Sequence, residues 1–185
     1  MDRQKVTIDT YNKSAENFQN RFMDMHLYDE TYDEFCRRVE KPGARILEIA
    51  CGPGNITRYI STRRPDFRII GTDLAYRMIE LAKVNVPSAE FRVMDCRNIS
   101  KLDARFDAVM CGFCIPYLSG EESAKLFCDA FNLLNPGGLL YVSAMEGESH
   151  KSGFEKTSFS GDDLVYMNYH QRGYLEEKMR EAGFT

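Results

Sequence analysis

The stretch Arg45-Ile-Leu-Glu-Ile-Ala-Cys-Gly-Pro-Gly54 decides the fold of this chain. Its first part, residues 45–50, is apolar and short, which predicts a buried strand. Residues 50–55 are small and predict a tight turn, and residues 55–64 predict a helix. A strand that passes through a glycine turn into a helix exposes backbone N–H groups and a helix N-terminus to a ligand. We therefore expect a ligand site at the carboxyl end of this strand.

Composition narrows the class of protein. The chain has 185 residues, 43% of them hydrophobic, which is enough for one domain with a real core. A net charge of −4 gives no electrostatic case for nucleic acid binding. The polar N-terminal segment predicts no signal peptide, and no apolar run approaches membrane-spanning length. Six cysteines set within apolar patterns predict a reduced, cytoplasmic protein.

Strands and helices alternate through the middle of the chain. The predicted strands are 45–50, 67–72, 90–94, 106–111 and 138–145, and the predicted helices between them are 55–64, 75–84 and 121–134. This alternation predicts right-handed βαβ units. The expected fold is α/β, with a doubly wound, mostly parallel sheet covered on both faces.

The flanking segments complete a single predicted domain, residues 1–185, around a core at 44–145. Apolar spacing predicts one helix from Ile8 to Met25 and a second from Tyr28 to Val39, which together form an N-terminal helical cap at 1–40. Residues 146–168 are rich in Gly, Ser, Asp and Lys and predict a loop or lid. Residues 169–182 predict a final helix, beginning near Tyr169-His170, with Gly183 as its stop.

Three predicted strands end in carboxylates, at Glu48, Asp73 and Asp95. Asp73 lies 21 positions after Gly52, and Asp95 lies 22 positions after Asp73. An acid about 20 residues past a glycine turn, at the end of the second strand, is where ribose hydroxyls are held. Because the strands are parallel, we expect all three carboxylates to converge on one edge of the sheet.

Over roughly residues 8–145 the sequence resembles the class I S-adenosylmethionine-dependent methyltransferases. Their first motif has an acid followed by small residues at alternate positions. This chain has Glu48, Ala50, Gly52 and Gly54 there, with alanine in place of the first glycine. Residues 106–111 are similar to the family's fourth strand. The sequence Asn135-Pro136-Gly137-Gly138 is similar to the turn into its fifth.

The resemblance implies S-adenosylmethionine as the cofactor and methyl transfer to a small-molecule acceptor by in-line displacement. It implies that residues 50–54 line the methionine part, that Asp73 holds the ribose, and that Leu74 and Met78 lie against the adenine. Asp95 and the backbone of Cys96 would contact the adenine edge, and Tyr11 would reach the cofactor from the N-terminal helix. The full set implied is Tyr11, Glu48, Ala50, Cys51, Gly52, Gly54, Asp73, Leu74, Met78, Asp95, Cys96 and Cys111.

The acceptor site is less readable than the cofactor site, because a sulfonium is already reactive. The protein mainly has to hold the reacting atoms about 3–3.5 Å apart, and it needs a base only if the acceptor must lose a proton. His170 and Tyr117 are the candidate catalytic residues. We expect the acceptor pocket between residues 11–28, the loop after Cys111 and the segment 146–170. The three histidines lack ligand spacing, so no metal site is expected.

Three other functions remain open from the sequence. A nicotinamide-dependent oxidoreductase also uses a glycine turn and a β2 acid, but Thr57 stands where its fingerprint needs a small residue. Cys111 and Cys114 form a C-x-x-C sequence typical of thiol redox proteins, although they lie at the end of a buried strand rather than at a helix N-terminus. A non-catalytic S-adenosylmethionine-binding module is the third.

The last predicted strand, 138–145, is expected to be a sheet edge. The family's sheet usually has seven strands, and the resemblance places only five in this chain. An apolar edge without proline or charge invites pairing with another chain. We therefore expect that the chain is truncated, or that residues 146–168 or a second subunit cover the edge, giving a homodimer if it is otherwise uncovered.

Overall fold

The strand β1 (Arg45–Ile49) lies at the centre of a five-stranded parallel sheet in the computed structural model, which describes residues 2–185. The sheet order is β3-β2-β1-β4-β5. The other strands are β2 (Arg68–Asp73), β3 (Glu90–Val93), β4 (Phe106–Gly112) and β5 (Leu134–Ser143). Every neighbouring pair is parallel, which confirms the doubly wound α/β fold expected from the alternating pattern.

The strand order reverses at β1, which has β2 on one side and β4 on the other. Ile49 pairs with Thr72 of β2 and with Cys111 of β4. The carboxyl ends of these three strands therefore finish at one level. In open α/β sheets, ligands bind in the crevice outside the strand ends at such a reversal.

Helices cover both faces of the sheet. They are α1 (Arg3–Lys13), α2 (Ala15–Phe22), α3 (Asp29–Arg38), α4 (Asn55–Arg63), α5 (Tyr76–Asn85), α6 (Gly120–Leu133) and α7 (Arg172–Ala182). Successive residues of a strand point to opposite faces. Leu47 accordingly belongs to one buried cluster with Phe127, and Ile46 belongs to another with Phe35. Both sides of β1 are thus filled by apolar side chains.

The single N-terminal helix expected from Ile8 to Met25 is two helices. Ser14 separates them, with φ −105° and ψ 17°, outside α-helical values. The apolar spacing was misleading because the buried face of α1 is polar. Thr7 and Thr10 are its buried residues, whereas Ile8 is only half-buried.

The segment 146–168, expected to be a loop or lid, contains a β-hairpin. Its strands are β6 (Gly153–Lys156) and β7 (Leu164–Met167), paired antiparallel, with Phe154 opposite Tyr166 and their ring centroids 5.1 Å apart. Strands of four residues are too short to produce a periodic signal among glycines and charges. The final helix also starts later than expected, at Arg172, so Tyr169 and His170 precede it. The stop at Gly183 is confirmed, with φ 111°.

The hairpin is held against α1 by hydrogen bonds and an ion pair. The Tyr166 N–H donates to Thr7 Oγ1 at 2.9 Å, and Thr10 Oγ1 donates to the Leu164 carbonyl at 2.7 Å. Lys13 Nζ lies 2.6 Å from a carboxylate oxygen of Asp163. The hairpin forms a sheet of its own, and β5 stays at the end of the main sheet. Residues 146–168 therefore do not pair with that edge, so one of the two expected kinds of cover is absent from the sheet. Cover by a second subunit stays a prediction.

Replacing Thr10 tests the contact between the two ends of the chain. Thr10→Val keeps the side-chain shape but removes the hydroxyl that donates to the Leu164 carbonyl. We expect the free energy of unfolding to fall by about 1 kcal/mol, the usual value of such a bond. Urea denaturation measures it. Thr62→Val, at an exposed position of α4, is the control and should change stability by less than about 0.5 kcal/mol. Equal effects of the two changes would contradict the contact.

Candidate active site

The turn after β1 has a strained backbone that only small residues tolerate. Ala50, Gly52 and Gly54 all have positive φ, at 55°, 54° and 83°. Such values are uncommon for residues with a Cβ, so Ala50 is held there against its own preference. Gly54 is the N-cap of α4, and no side chain caps that helix. Its first N–H groups are therefore available to a ligand.

Asp73, at the end of β2, holds this turn in place. Its carboxylate accepts the Gly52 N–H at 3.0 Å on one oxygen and the Ala75 N–H at 2.8 Å on the other. Burial raises the pKa of Asp73 to about 6, and the backbone hydrogen bonds oppose that shift. Each carboxylate oxygen can accept more than one hydrogen bond, so both keep capacity for ligand hydroxyls.

Glu48 places a second carboxyl group beneath the same turn. The side chain is 1% exposed, and Thr57 Oγ1 donates to its Oε2. Its other oxygen, Oε1, is buried and has no partner among the described residues. Burial raises the pKa of Glu48 to about 8, against the hydrogen bond from Thr57. A buried polar atom without a partner is costly, so this oxygen favours a ligand that carries a donor.

A cavity of about 360 Å³ opens beside Glu48. One wall is formed by the ends of β1 and β4, with Glu48, Ala50, Gly52 and Phe113. The other walls come from the segment that joins α2 to α3 and from α4. The lining residues are Phe18, Phe22, Met23, Asp24, Met25, His26, Tyr28, Asp29, Tyr32, Glu48, Ala50, Cys51, Gly52, Asn55, Ile56, Arg58, Tyr59, Thr62, Arg63, Gly112 and Phe113.

Four of these side chains form a continuous aromatic wall. The ring centroids of Tyr28 and Phe113 are 5.0 Å apart, those of Tyr28 and Tyr32 are 6.4 Å apart, and those of Tyr32 and Tyr59 are 5.6 Å apart. Phe113 has a positive φ of 57°. Strained residues cluster at functional sites, and here Ala50 and Phe113 both line the cavity.

Asp95, the third predicted carboxylate, is held by partners within the chain. Arg97 forms an ion pair with it at 2.5 Å, and Gln4 Nε2 donates to it at 3.1 Å. Burial opposes ionisation of Asp95, but the hydrogen bonds from Arg97 outweigh it and lower the pKa. Asp95 follows β3, whose Val93 pairs with Asp73, so it lies at the same edge of the sheet. It does not line the cavity.

The remaining predicted cofactor residues lie outside the cavity lining. Tyr11 of α1 packs in one apolar cluster with Met78 of α5, whereas Cys111 is on β4, on the other side of β1 from Asp73. Met78 and Cys111 are buried, whereas Leu74 and Cys96 are half-buried. The Tyr11 hydroxyl is hydrogen-bonded to that of Tyr117. Burial raises the pKa of Tyr117 to about 12, which disfavours its use as a base at neutral pH.

His170 is not brought to the cavity. It is buried, at 8% exposure, and its Nε2 lies 2.9 Å from the Leu118 carbonyl. Its ring is stacked on Tyr174. The prediction of a base near the cavity mouth assumed that Tyr169-His170 begins the final helix. Because the helix starts later, His170 points into the packing between its own segment and Leu118.

The C-x-x-C cysteines are both buried and both free. Hydrogen bonding to Cys111 and burial raise the pKa of Cys114, which disfavours a reactive thiolate. Across residues 2–185, no three or more His, Cys, Asp or Glu side chains are grouped so that they could hold a metal ion. No helix in this part of the chain is both long enough and apolar enough to cross a membrane.

Sequence reasoning missed three residues of this site. Thr57 was noted only as a departure from a nicotinamide fingerprint, and its bond to Glu48 was not foreseen. Asp29 and Tyr32 lie in the predicted helix from Tyr28 to Val39, which we expected to form part of the N-terminal cap. The signal for them is their place directly after residues 11–28, the segment expected to border the acceptor pocket.

Replacing Ala50 with glycine tests whether the backbone is strained there. A strained alanine should gain stability on this change, whereas an alanine in an unstrained helix should lose it. Ala50→Gly should stabilise the protein by about 0.5–1 kcal/mol, because relief of the left-handed conformation exceeds the added entropy of the unfolded chain. The control Ala130→Gly, in the interior of α6, should destabilise by about 1 kcal/mol or more. Urea unfolding of the two variants checks this, and destabilisation by Ala50→Gly would contradict the strained turn.

Comparison with known proteins agrees with this geometry. The profile of a family described as "Methyltransferase domain" matches residues 46–138, half of the chain. Trans-aconitate 2-methyltransferase of Variovorax paradoxus is 30% identical over 110 residues, which are 59% of this chain and 42% of that protein. Demethylmenaquinone methyltransferase of Thermotoga maritima is 32% identical over 160 residues, which are 76% of this chain and 69% of that protein.

The fold is shared with solved structures. The DhpI–SAH complex superposes with a TM-score of 0.74 at 18% identity, covering 98% of this chain and 87% of that one. The chain spans about half the length of several of the curated relatives that it matches. The matched residues contain β1 from Ile46 onward, β2 to β4, the strained turn and the three strand-end carboxylates. This chain belongs to the class I S-adenosylmethionine-dependent methyltransferase family.

Proposed function

We propose that this chain binds S-adenosylmethionine in the turn 50–54 and transfers its methyl group to a small molecule held in the neighbouring cavity. The observation that carries the proposal is the unpartnered Oε1 of Glu48 beside the strained turn. This oxygen is buried, and the groups around it are each complementary to one part of the cofactor.

The residues present fit the cofactor part by part. Its methionine portion carries an ammonium, for which Glu48 Oε1 is a buried acceptor, and a carboxylate, for which the uncapped N–H groups of α4 are donors. Its ribose has two hydroxyls, for which Asp73 has free acceptor capacity. Met78 and Leu74 supply apolar surface for the adenine.

The bound sulfonium would supply an activated methyl group. The chain's own contribution is then to exclude water and to hold the acceptor in line, which is the larger part of catalysis in such reactions. The aromatic wall of Tyr28, Tyr32, Tyr59 and Phe113 provides a continuous apolar surface for this.

A small-molecule acceptor is supported by the size of the cavity. The cavity of about 360 Å³ also receives the methionine portion of the cofactor in this proposal, so only part of it is left for the acceptor, which favours a small molecule. The two relatives named above methylate trans-aconitate and demethylmenaquinone, which are different molecules. They support a small-molecule acceptor but do not indicate which molecule it is. The net charge of −4 supports the absence of a nucleic acid partner, and the free cysteines support a cytoplasmic location.

Removing the Asp73 carboxylate tests the ribose contact. Asp73→Ala removes both acceptors and should weaken binding of S-adenosylhomocysteine at least about tenfold, since one charge-assisted hydrogen bond is worth about 1.5–3 kcal/mol. Isothermal calorimetry measures the affinity, and circular dichroism confirms folding. The control Asp103→Ala removes an exposed carboxylate far from the turn and should change nothing. Wild-type affinity in Asp73→Ala would refute the ribose assignment.

The raised pKa of Glu48 predicts a pH dependence of cofactor affinity. Only the ionised carboxylate can pair with the ligand's ammonium, and with a pKa of about 8 the group is mostly protonated at neutral pH. Affinity for S-adenosylhomocysteine should therefore rise from pH 6.5 to 8, by up to about tenfold per unit, and level off above.

Glu48→Gln is the matched variant, since it keeps an acceptor for Thr57 and cannot titrate. Titration of the ligand itself is common to both proteins and cancels in the comparison. The variant should bind more weakly at pH 8 and lose most of the slope. An equal slope in the two proteins would show that Glu48 does not hold the ammonium.

A further inference from the structure

We propose that the methyl acceptor is an amine, which binds as an ammonium ion between Asp29 and the aromatic wall and gives one N–H proton to the Asp29 carboxylate before transfer. The lone pair freed in this way would form the new N–C bond as the bond between the methyl carbon and the sulfonium sulfur breaks, leaving a neutral thioether. This inference rests on the proposed function, because it assigns the part of the cavity that the cofactor leaves to the acceptor. It follows from which polar groups in the cavity already have partners and which do not.

The cationic side chains of the cavity are already balanced. Arg58 donates to the Met23 carbonyl at 2.7 Å and forms an ion pair with Asp24. Arg63 donates to Asp33 at 3.0 Å and to the Tyr59 hydroxyl at 2.9 Å. The charge of each guanidinium is therefore already offset by a carboxylate, so an anionic acceptor would gain less from it than from an unpaired cation.

The buried side-chain atoms of the cavity that lack a partner are carboxylate oxygens. Among the described residues, four buried side-chain oxygens lack partners, and the two that belong to cavity-lining residues are Glu48 Oε1 and Asp29 Oδ1. The others are hydroxyls of Ser123 and Thr157, which lie elsewhere. Glu48 Oε1 serves the cofactor's ammonium in the proposed function, so Asp29 Oδ1 remains.

Asp29 is held in place by its own neighbours. Its Oδ2 lies 2.9 Å from His26 Nδ1, and its backbone carbonyl accepts from the Tyr59 hydroxyl at 3.5 Å. The imidazole satisfies one oxygen and leaves the other, Oδ1, buried and without a donor. A buried acceptor-only group in this state is satisfied by a ligand with N–H or O–H groups.

The aromatic wall favours binding of a cationic ligand over binding of a neutral hydrogen-bond donor. Tyr28 directly precedes Asp29 and its ring contacts that of Phe113, and all three residues line the same cavity. The Tyr59 ring face carries the Arg63 guanidinium, 4.7 Å from its centroid, so the rings of Tyr28 and Phe113 are the ones left for a ligand. Ring faces attract ammonium groups, most strongly where water is excluded. A carboxylate with adjacent aromatic faces is thus complementary to an amine, less so to an alcohol, and repels an acid.

Three matched probes separate these ligand classes by direct binding. The protein is saturated with S-adenosylhomocysteine and titrated by calorimetry with phenethylamine, 2-phenylethanol and 3-phenylpropanoate. We expect the amine to bind at least about tenfold more tightly than the alcohol, from one charge-assisted hydrogen bond, and the anion to bind weakest. Equal or tighter binding of the alcohol or the anion, or no binding of the amine, would overturn the inference.

Variants test whether Asp29 and Tyr28 cause the preference for the amine over the alcohol. Asp29→Asn should abolish the preference for amine over alcohol while leaving S-adenosylhomocysteine affinity unchanged. Glu30→Gln, which removes the neighbouring exposed charge, should keep the preference. Tyr28→Leu should weaken the amine several-fold and the alcohol less, which tests the wall if Asp29→Asn folds poorly.

The same titrations separate the two proposals. Binding of S-adenosylhomocysteine without selectivity for the amine would leave the cofactor proposal intact and remove the inference. Failure of the wild-type protein to bind S-adenosylhomocysteine would remove both. Retained selectivity in both Asp29→Asn and Tyr28→Leu would show that the amine binds elsewhere.

Discussion

The hydrogen bond from the Gly52 N–H to the Asp73 carboxylate is the contact on which the site depends. It ties the turn after β1 to the end of β2, and the Cys51 N–H reinforces it by donating to the Thr72 carbonyl at 2.9 Å. Together these bonds hold three residues of the turn at positive φ. Without them, Ala50 would have no reason to stay in a left-handed conformation, and the N-terminus of α4 would not face the crevice.

This arrangement concentrates unmet hydrogen-bonding capacity in one place. Burial raises the pKa of Glu48 to about 8 and that of Asp73 to about 6, which shows that the protein disfavours both charges in the absence of a ligand. A buried carboxyl group with a raised pKa lowers the free energy of unfolding, and such groups cluster at functional sites. A ligand that brings an ammonium and hydroxyls would satisfy Glu48 and Asp73, which is why the two are interpreted as a cofactor site rather than as structural acids.

The core of this site could be predicted from the sequence, because local rules determine it. Apolar runs and glycines predict β1 and its turn, and the spacing to Asp73 follows from the length of one βα unit. The break at Ser14 and the hairpin could not be predicted in this way. Both depend on contacts between residues more than 150 positions apart, such as Thr10 with Leu164. His170 precedes the final helix, because that helix starts at Arg172, three residues after the expected start, and the imidazole packs against the Leu118 carbonyl instead. Asp29 was missed because an acid in the first turn of a helix is ordinary unless its surroundings are known.

Calorimetric titration of the wild-type protein with S-adenosylhomocysteine and, separately, with NAD distinguishes the proposed cofactor from a dinucleotide. Both ligands carry adenosine, and both could use Asp73. We expect S-adenosylhomocysteine to bind with one-to-one stoichiometry and NAD not to bind measurably, because only the former has an ammonium for Glu48. Binding of NAD in preference to S-adenosylhomocysteine, or binding of neither ligand, would contradict this expectation.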